Sequence, residues 1–497
     1  MSELIISSTI PFHQQILQNA KQYGNDSALT DHSGTITYDE LNGLANRYAN
    51  ALSTLGINKG SNVLLILGNC KEYPLIFLGS ALLGATISGG SVYLTVEEIE
   101  YLCKEADSGL VITDSALDLG IETKVITLAE LQEMAETRSD EFLMYPDTDL
   151  QDVLIEPFSS GTTGHPKCVQ LTHQNYIAAT KALSEALFSK LTGKGRRCTL
   201  AFLPFYHGSG FWALVYCLLA GHHSVIMSEF HPLLMLEAIE KHQVDVINVV
   251  PSIVSALVRL PNESFDLSSL EVVLCGSAPL GKELCQAFMA KFPQVTALVQ
   301  GYGMTEIVVL SHILPMETEK EAWGSCGKLL PGFEAKLINV DGEIVEERGA
   351  WGELFLKSEA IFKGYKGGQD SGKDEDGWLA SGDIAYQDVH GLFYIVDRKK
   401  DLIKVNGMQV APVQLESVLL THPKIAEAAV IRTSHEQYGE VPKAFLVPTD
   451  GCSIDPKEIH DFMKEHVAPF KQLRGGIVIR EELPKTKSGK IARNLLK

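Results

Sequence analysis

The stretch Ser159-Ser160-Gly161-Thr162-Thr163-Gly164-His165-Pro166-Lys167 gathers hydroxyls, glycines and a lysine behind a short apolar run, Val153-Leu154-Ile155, that reads as a strand. Glycines let backbone amides approach a ligand, serine and threonine hydroxyls add donors, and Lys167 adds a positive charge; the set suits phosphate oxygens. A solvated turn has the same composition, so the loop alone leaves both readings open. It is not a Walker A loop, because Pro166 stands where the second glycine is required. Further chemistry-bearing stations follow. Gln300-Gly301-Tyr302-Gly303-Met304-Thr305-Glu306 offers a ring to stack, a hydroxyl and a carboxylate close together, and Ala380-Ser381-Gly382-Asp383 places an acid after a glycine turn. Pro484-Lys485-Thr486-Lys487-Ser488-Gly489-Lys490 is a cationic loop. Leu203-Pro204-Phe205-Tyr206-His207-Gly208 sets a histidine among aromatics.

Several chemistries lack their signatures. No GxSxG nucleophile elbow and no HExxH occurs. Two GxxxxGK matches, Gly276 to Lys282 and Gly367 to Lys373, are followed by Glu283 and Asp374 where a P-loop needs Ser or Thr for magnesium.

The elements that must position these residues follow from pattern. The 497 residues suffice for about three domain-sized units. A net charge of −20 argues against a nucleic-acid surface, which needs a basic footprint. Nine scattered cysteines without a CxxC pair fit reduced thiols, and no signal peptide or C-terminal Ser-Lys-Leu is visible, so a cytoplasmic protein is expected. Leu75 to Leu94 lacks charge over twenty residues, but its glycines favour a buried helix leaving into a turn over a membrane span. Residues 10–57 carry helical periodicity. Val63–Leu67, Val111–Thr113 and Val125–Leu128 read as strands separated by helical segments, a helix is expected over 174–191, and Val244–Val250 and Leu270–Leu274 continue the alternation. That alternation predicts an α/β fold with parallel sheets flanked by helices. Beyond about residue 325, Lys336–Asn339, Glu353–Lys357 and Phe393–Val396 form short strands broken by Asp341-Gly342 and His390-Gly391, a small β-rich region. The last hundred residues alternate a helix (Val413–Leu420), strands (Ala428–Ile431, Ala444–Pro448) and a second helix (Pro456–His466), and read as a small α+β domain.

Taken in order, Ser159–Lys167, Gln300–Glu306, Ser381-Gly382-Asp383, Asp397-Arg398-Lys399-Lys400-Asp401-Leu402-Ile403-Lys404 and Lys485–Lys490 resemble the core motifs of adenylate-forming enzymes. The resemblance runs from Leu29 to Lys490 and is greatest to 4-coumarate:CoA ligases and luciferase-like fatty acyl-CoA synthetases. It implies a large N-terminal domain (1–397), a hinge (398–400, turning near Lys400) and a small mobile C-terminal lid (401–497). It also implies that ATP, Mg2+ and coenzyme A are used. In that family Ser159, Ser160, Gly161, Thr162, Thr163, Gly164 and Lys167 would hold the β- and γ-phosphates, with Gln300, Gly301 and Gly303 around the nucleotide. Tyr302 would stack on adenine, Thr305 would contact the α-phosphate and Glu306 would hold magnesium. Asp383 would take the ribose hydroxyls with Arg398 nearby. Lys490 would bridge the carboxylate and the α-phosphate, and Lys404 and Gln409 would serve thioester formation after the lid turns. His207 would line the acyl pocket.

The chain departs from the family pattern at His165, Cys168 and Gly89-Gly90-Ser91, and at Lys404-Val405-Asn406-Gly407, which lacks a second lysine. No aspartate stands near His207 to meet a substrate ammonium, and an unpaired ammonium in an apolar pocket is costly, so an amino acid is disfavoured. Phe205, Tyr206, Phe211 and the small run Cys275-Gly276-Ser277-Ala278 suit an apolar acid, a fatty acid being favoured over an aryl acid. An aryl-CoA ligase, a luciferase-type oxygenase, a carrier-protein loader and a non-catalytic nucleotide binder are the competing readings. Oligomeric state and pathway are left open.

Overall fold

The computed structural model describes residues 4–141, 146–159, 165–188, 196–260, 264–316, 322–406, 408–449, 451–485 and 491–496. Two compact units divide the chain: Met1–Lys320 with Gly327–Glu334 and Lys357–Leu379, and Glu321–Cys326 with Ala335–Leu356 and Ala380–Lys497.

The first unit holds two large sheets. In one, the parallel strands Ser27–Asp31, His223–Ile226, Cys198–Ala201, Val246–Val249, Val272–Cys275 and Ala297–Tyr302 lie side by side in that order. The strand His223–Ile226 lies on one side of Cys198–Ala201 and the next strand in sequence, Val246–Val249, on the other. Connections therefore diverge above Cys198–Ala201, and the crevice at such a reversal is where open α/β sheets bind ligands. In the second sheet, Lys124–Thr127, Ser108–Thr113, Asn62–Ile66, Thr86–Gly89 and Val153–Ile155 run parallel. Lys167–Thr172 and Gly364–Tyr365 extend its edge antiparallel. Strands buried on both faces read as unbroken apolar runs, which is why Val63–Leu67 was legible as a strand.

Helix starts carry local signals. Thr95 accepts from the Glu98 amide while the Glu98 carboxylate accepts from the Thr95 amide, and Thr172 and Asn175 repeat this reciprocal cap. Each such cap contributes on the order of 1 kcal/mol.

Two expectations are corrected and a third is met. Residues 10–57 are not continuously helical: the hairpin Ser27–Asp31/Gly34–Thr37 separates the helices Phe12–Ala20 and Tyr38–Thr54. Leu75–Leu94 does begin as a buried helix leaving into a glycine turn: the fully buried helix Glu72–Leu82 ends before the positive-φ Gly84, and the strand Thr86–Gly89 follows. The helix expected from 174 begins at His173 and ends at Ala186, and the strand Lys167–Thr172 stands between it and the glycine loop. Among the described residues no helix is long and apolar enough to cross a membrane.

The second unit contains the expected small β-rich sheet, with Leu379–Gln387 antiparallel to Phe393–Arg398. It also contains a five-stranded sheet built around the pair Ile425–His435/Gly439–Pro448, packed by the helices Pro412–Leu420 and Pro456–His466. Lys400 occupies the exposed turn between the strands Phe393–Arg398 and Ile403–Val405. Asp397 accepts from the Val413 amide at 3.0 Å, and Ile384, Val396, Leu402 and Ala411 share one apolar cluster. Chain on both sides of Lys400 is thus packed together within this unit.

Candidate active site

Phe158–Ser159 pairs antiparallel with Lys167–Thr172, placing Ser159 opposite Lys167. The Ser159–Lys167 stretch therefore starts and ends on paired strands, its first hydroxyl residue and its lysine side by side. Ser160, Gly161, Thr162, Thr163 and Gly164 lie outside the described residues, as does Lys490. The two unusual residues of this stretch have local explanations. His165 is exposed and its ring lies 5.1 Å from that of Tyr101, whose hydroxyl donates to the Pro166 carbonyl at 3.1 Å. Cys168 points inward and is fully buried, which pushes its thiol pKa up, with Glu156 adding to the rise. Both fasten the far side of the loop.

The Gln300–Glu306 block runs off the carboxyl end of the outermost parallel strand, Ala297–Tyr302. Gln300 is buried, and its side-chain carbonyl accepts from the Leu280 amide at 3.2 Å. The chain then doubles back, pairing Gly301 with Ile313 and Tyr302 with His312. A Cβ on Gly303 would lie inside contact distance of the Val309 carbonyl, so only glycine fits there. The Tyr302 ring meets that of His312 edge-on at 5.9 Å. His312 is fully buried, which pushes its pKa down to about 3, and its Nδ1 lies 2.9 Å from Ser311 Oγ. Thr305 and Glu306 form a single 3-10 turn, after which Val308 adopts φ +68°, ψ −63° and the Val309 amide donates to the Ile307 carbonyl at 2.8 Å. That is a γ-turn of the strained hand, and a buried β-branched residue in it costs about 1–3 kcal/mol. Strain of this kind persists only where surrounding packing enforces it, and here it reverses the chain directly after the acidic residue.

Glu306 is buried and accepts from the Tyr365 hydroxyl at 2.8 Å through Oε1. The Lys167 ammonium sits 4.6 Å from the centroid of the same tyrosine ring. Burial, then the charge of Glu306, holds the Tyr365 phenol well above its ordinary pKa, partly offset by the Ser159 hydroxyl. Sequence reasoning missed Tyr365. One aromatic in Lys363-Gly364-Tyr365 carries no chemical signature, and only folding brings it to Glu306, 59 residues away.

The residues expected on the acyl side follow the strands Thr86–Gly89, Cys198–Ala201 and Val272–Cys275. His207 caps the helix Gly208–Ala220 after the strand Cys198–Ala201, and its carbonyl accepts from the Phe211 amide at 3.0 Å. Tyr206 is half-buried; burial raises its pKa while the Ser91 hydroxyl lowers it. A Cβ on Gly89 would collide with Tyr73 and Tyr206, which accounts for the glycine there. Phe205 and Phe211 were expected to line the substrate pocket, but both are fully buried in a closed cluster with Tyr73 and Phe77. Tilted and edge-to-face contacts at 4.9 to 6.1 Å hold these four rings together. Cys275 is likewise buried, and Gly276 follows it near the Gly301 carbonyl, while Ser277 (φ +71°) and Ala278 are exposed.

In the second unit, Asp383 is buried within the strand Leu379–Gln387, and the positive-φ Gly382 bends that strand where a free turn was expected. Arg398 stands directly opposite and pairs with it at 3.3 Å. Lys404 and Gln409 face each other across the hairpin Ile403–Val405/Met408–Val410, with Asn406 at φ +48° in its turn. The geometry thus brings together Ser159, Lys167, Glu306 and Tyr365 in one unit, and Asp383 with Arg398, and Lys404 with Gln409, in the other.

A buried carboxylate suits a hard divalent cation that accompanies a nucleotide, since Mg2+ takes oxygen ligands from carboxylate and phosphate. Glu306 would hold such an ion, which would neutralise phosphate charge.

Residues 16–366 match the model of the AMP-binding enzyme family, and residues 414–490 match the AMP-binding enzyme C-terminal domain. The chain belongs to this family and is an adenylate-forming ligase by class. It is 33% identical to 4-coumarate–CoA ligase 1 of Petroselinum crispum, over 100% of this chain and 95% of that protein. Among solved structures, o-succinylbenzoate CoA synthetase of Bacillus subtilis with ATP and magnesium superposes with a TM-score of 0.86 at 28% identity, covering 97% of this chain and 99% of the other. ATP-bound MatB of Rhodopseudomonas palustris gives 0.88 at 25% identity, covering 97% and 98%.

Proposed function

We propose that this chain is an AMP-forming CoA ligase for an apolar carboxylic acid, an aryl acid before a long-chain fatty acid. The observation that carries the reaction is the arrangement of Lys167, Tyr365 and Glu306 at the end of the Ser159–Lys167 stretch. A carboxylate is a poor electrophile. Its oxygen attacks the α-phosphorus of ATP, the α–β anhydride bond breaks, and pyrophosphate leaves. The sulfur of coenzyme A then attacks the acyl carbon, the bond to AMP breaks, and the thiol proton passes to solvent. Lys167 and the Ser159–Gly164 loop would grip the departing pyrophosphate, Thr305 the α-phosphate and Tyr302 the adenine. Asp383 would take the ribose hydroxyls, Arg398 holding its carboxylate in place. Lys490 would meet charge developing between the acid and the α-phosphate, where a preorganised cation contributes most.

The second step needs a different set, Lys404 and Gln409, and a turn of the lid at Lys400 would exchange one for the other. The buried aromatic cluster of Phe205, Phe211, Tyr73 and Phe77, whose Phe205 and Phe211 flank His207 in sequence, supports a compact planar acid over a long chain. The named aryl-acid ligases among the relatives support the same choice. Nine free thiols support a reducing, cytoplasmic setting. A pyrophosphate-release assay over 4-coumarate, cinnamate, benzoate, octanoate and palmitate tests the reading. Release should be greatest with an aryl acid and should yield its CoA thioester; preference for palmitate would overturn the substrate class, and exchange without any thioester would point to a carrier-protein loader.

A further inference from the structure

The segment that carries Tyr365 is fastened more firmly than an edge strand needs. Lys366, the next residue, places its ammonium 3.1 Å from Glu156 Oε2, and Glu156 is buried. The same carboxylate accepts from Asn62 Nδ2 at 2.8 Å, Thr86 Oγ1 at 2.9 Å and Gln170 Nε2 at 3.0 Å. Asn175 Nδ2 donates to the Glu359 and Ile361 carbonyls at 2.7 and 2.8 Å, and Lys373 donates to those of Phe362 and Lys363 at 2.9 Å each. The Phe362 amide donates to the Glu306 carbonyl at 2.8 Å, which ties the strap to the acidic turn through backbone as well. A buried carboxylate satisfied by three neutral donors and one cation is a rigid anchor, because losing the cation leaves its charge uncompensated and losing a donor leaves a buried lone pair unsatisfied.

From this anchor Tyr365 reaches two functional groups at once. Its hydroxyl is on the carboxylate of Glu306, and its ring face lies under the Lys167 ammonium. A phenol donating to a carboxylate fixes the rotamer and favours the ionised form; a ring under an ammonium attracts the cation without neutralising it. Opposite charges at the base of a phosphate loop otherwise tend to pair with one another, which would occupy both before nucleotide arrives.

We propose that Tyr365 is a positioning residue for metal–nucleotide binding: it orients the Glu306 carboxylate for the divalent cation and keeps Lys167 apart from it, ready for phosphate. The Glu156–Lys366 pair is the foundation on which this tyrosine stands. The inference rests on the reading that Glu306 holds the magnesium that accompanies ATP.

The test is calorimetric binding of ATP to the full-length protein across a Mg2+ titration, beside binding of AMP without metal, for wild type, Tyr365→Phe, Glu306→Gln and the double variant. Tyr365→Phe removes one oxygen atom and keeps the ring under Lys167. It should raise the Mg2+ concentration at half-saturation about tenfold, the usual effect of losing a group that orients a metal ligand, with AMP affinity unchanged. In the Glu306→Gln background the same substitution should add little, because coupled residues are non-additive. A Mg2+ dependence for Tyr365→Phe that overlies wild type would overturn the proposal, as would equal losses of AMP and ATP binding, which would mark Tyr365 as general support for the fold. Wild-type protein that binds ATP with no dependence on Mg2+ would instead refute the underlying assignment of Glu306.

Discussion

Acid should destabilise the first unit through histidines that the fold keeps neutral. His312 is fully buried with its pKa pushed down to about 3, and burial holds His173 and His222 down to about 4. The Nδ1 atoms of His173 and His222 accept backbone hydrogen bonds from Phe12 and Arg197, which protonation would break. A base whose folded pKa is depressed binds fewer protons when folded, so stability is complete above the unfolded pKa and falls as pH drops from about 6.5 towards 4. Lowering the pH from 7 to 5 should remove about 2 kcal/mol for each of the three, about 6 kcal/mol together, comparable with the whole stability of many domains.

The second unit should respond with the opposite sign. Burial raises the Asp397 pKa to about 6, so its folded form holds the proton more tightly, and stability contributed below pH 4 is lost as pH rises through 6. The same acidification should therefore return about 1 kcal/mol to that unit. Differential scanning calorimetry from pH 7 to 5 reads both units. The His312→Gln variant should flatten the acid-induced decline of the first unit by about 2 kcal/mol, or about 4 °C in Tm. A melting curve for His312→Gln that stays parallel to wild type at every pH would refute the reasoning.

Three further outcomes follow from packing. Gly303→Ala forces a methyl against the Val309 carbonyl and should abolish nucleotide binding by calorimetry while far-UV circular dichroism is retained, because the displacement is local to the reversal after Tyr302. Arg493 Nη2 donates to both oxygens of Glu416 at 2.9 and 2.7 Å; Arg493→Met removes the cation beside this buried carboxylate and should cost about 1–3 kcal/mol in urea denaturation of the second unit. Of the nine thiols only Cys452 is exposed, so a chromogenic disulfide reagent should titrate about one thiol rapidly in native protein and the rest after denaturation, buried thiols with raised pKa being unreactive.

Much of this fold was legible because parallel strands buried on both faces are written as apolar runs. Asn62–Ile66, Val246–Val249 and Val272–Cys275 fall where the runs do, and the helix Pro456–His466 has the expected bounds. What escaped was short or context-dependent. The hairpin Ser27–Asp31/Gly34–Thr37 is hidden between two amphipathic helices, and the strand Lys167–Thr172 contributes to a sheet edge that only tertiary pairing creates. At the site, residues grouped in sequence were readable as groups: the Gln300–Glu306 block, the cross-strand pair Asp383–Arg398, and Lys404 with Gln409. Tyr365 was not, because its role comes from two partners distant in sequence. Phe205 and Phe211 look like pocket residues in a linear reading for the same reason. Direction into or away from a cavity is decided by Tyr73 and Phe77, more than a hundred residues earlier.

The central claim is that an acid is activated by adenylation and passed to coenzyme A on this chain. The most direct measurement is mass-spectrometric product analysis of reactions with ATP, Mg2+, coenzyme A and 4-coumarate, for wild type and Lys490→Ala. Wild type should form the CoA thioester with AMP and pyrophosphate in equal amounts, and Lys490→Ala should lose adenylate formation while still binding ATP. ADP and phosphate as products, or undiminished adenylate from Lys490→Ala, would contradict the account.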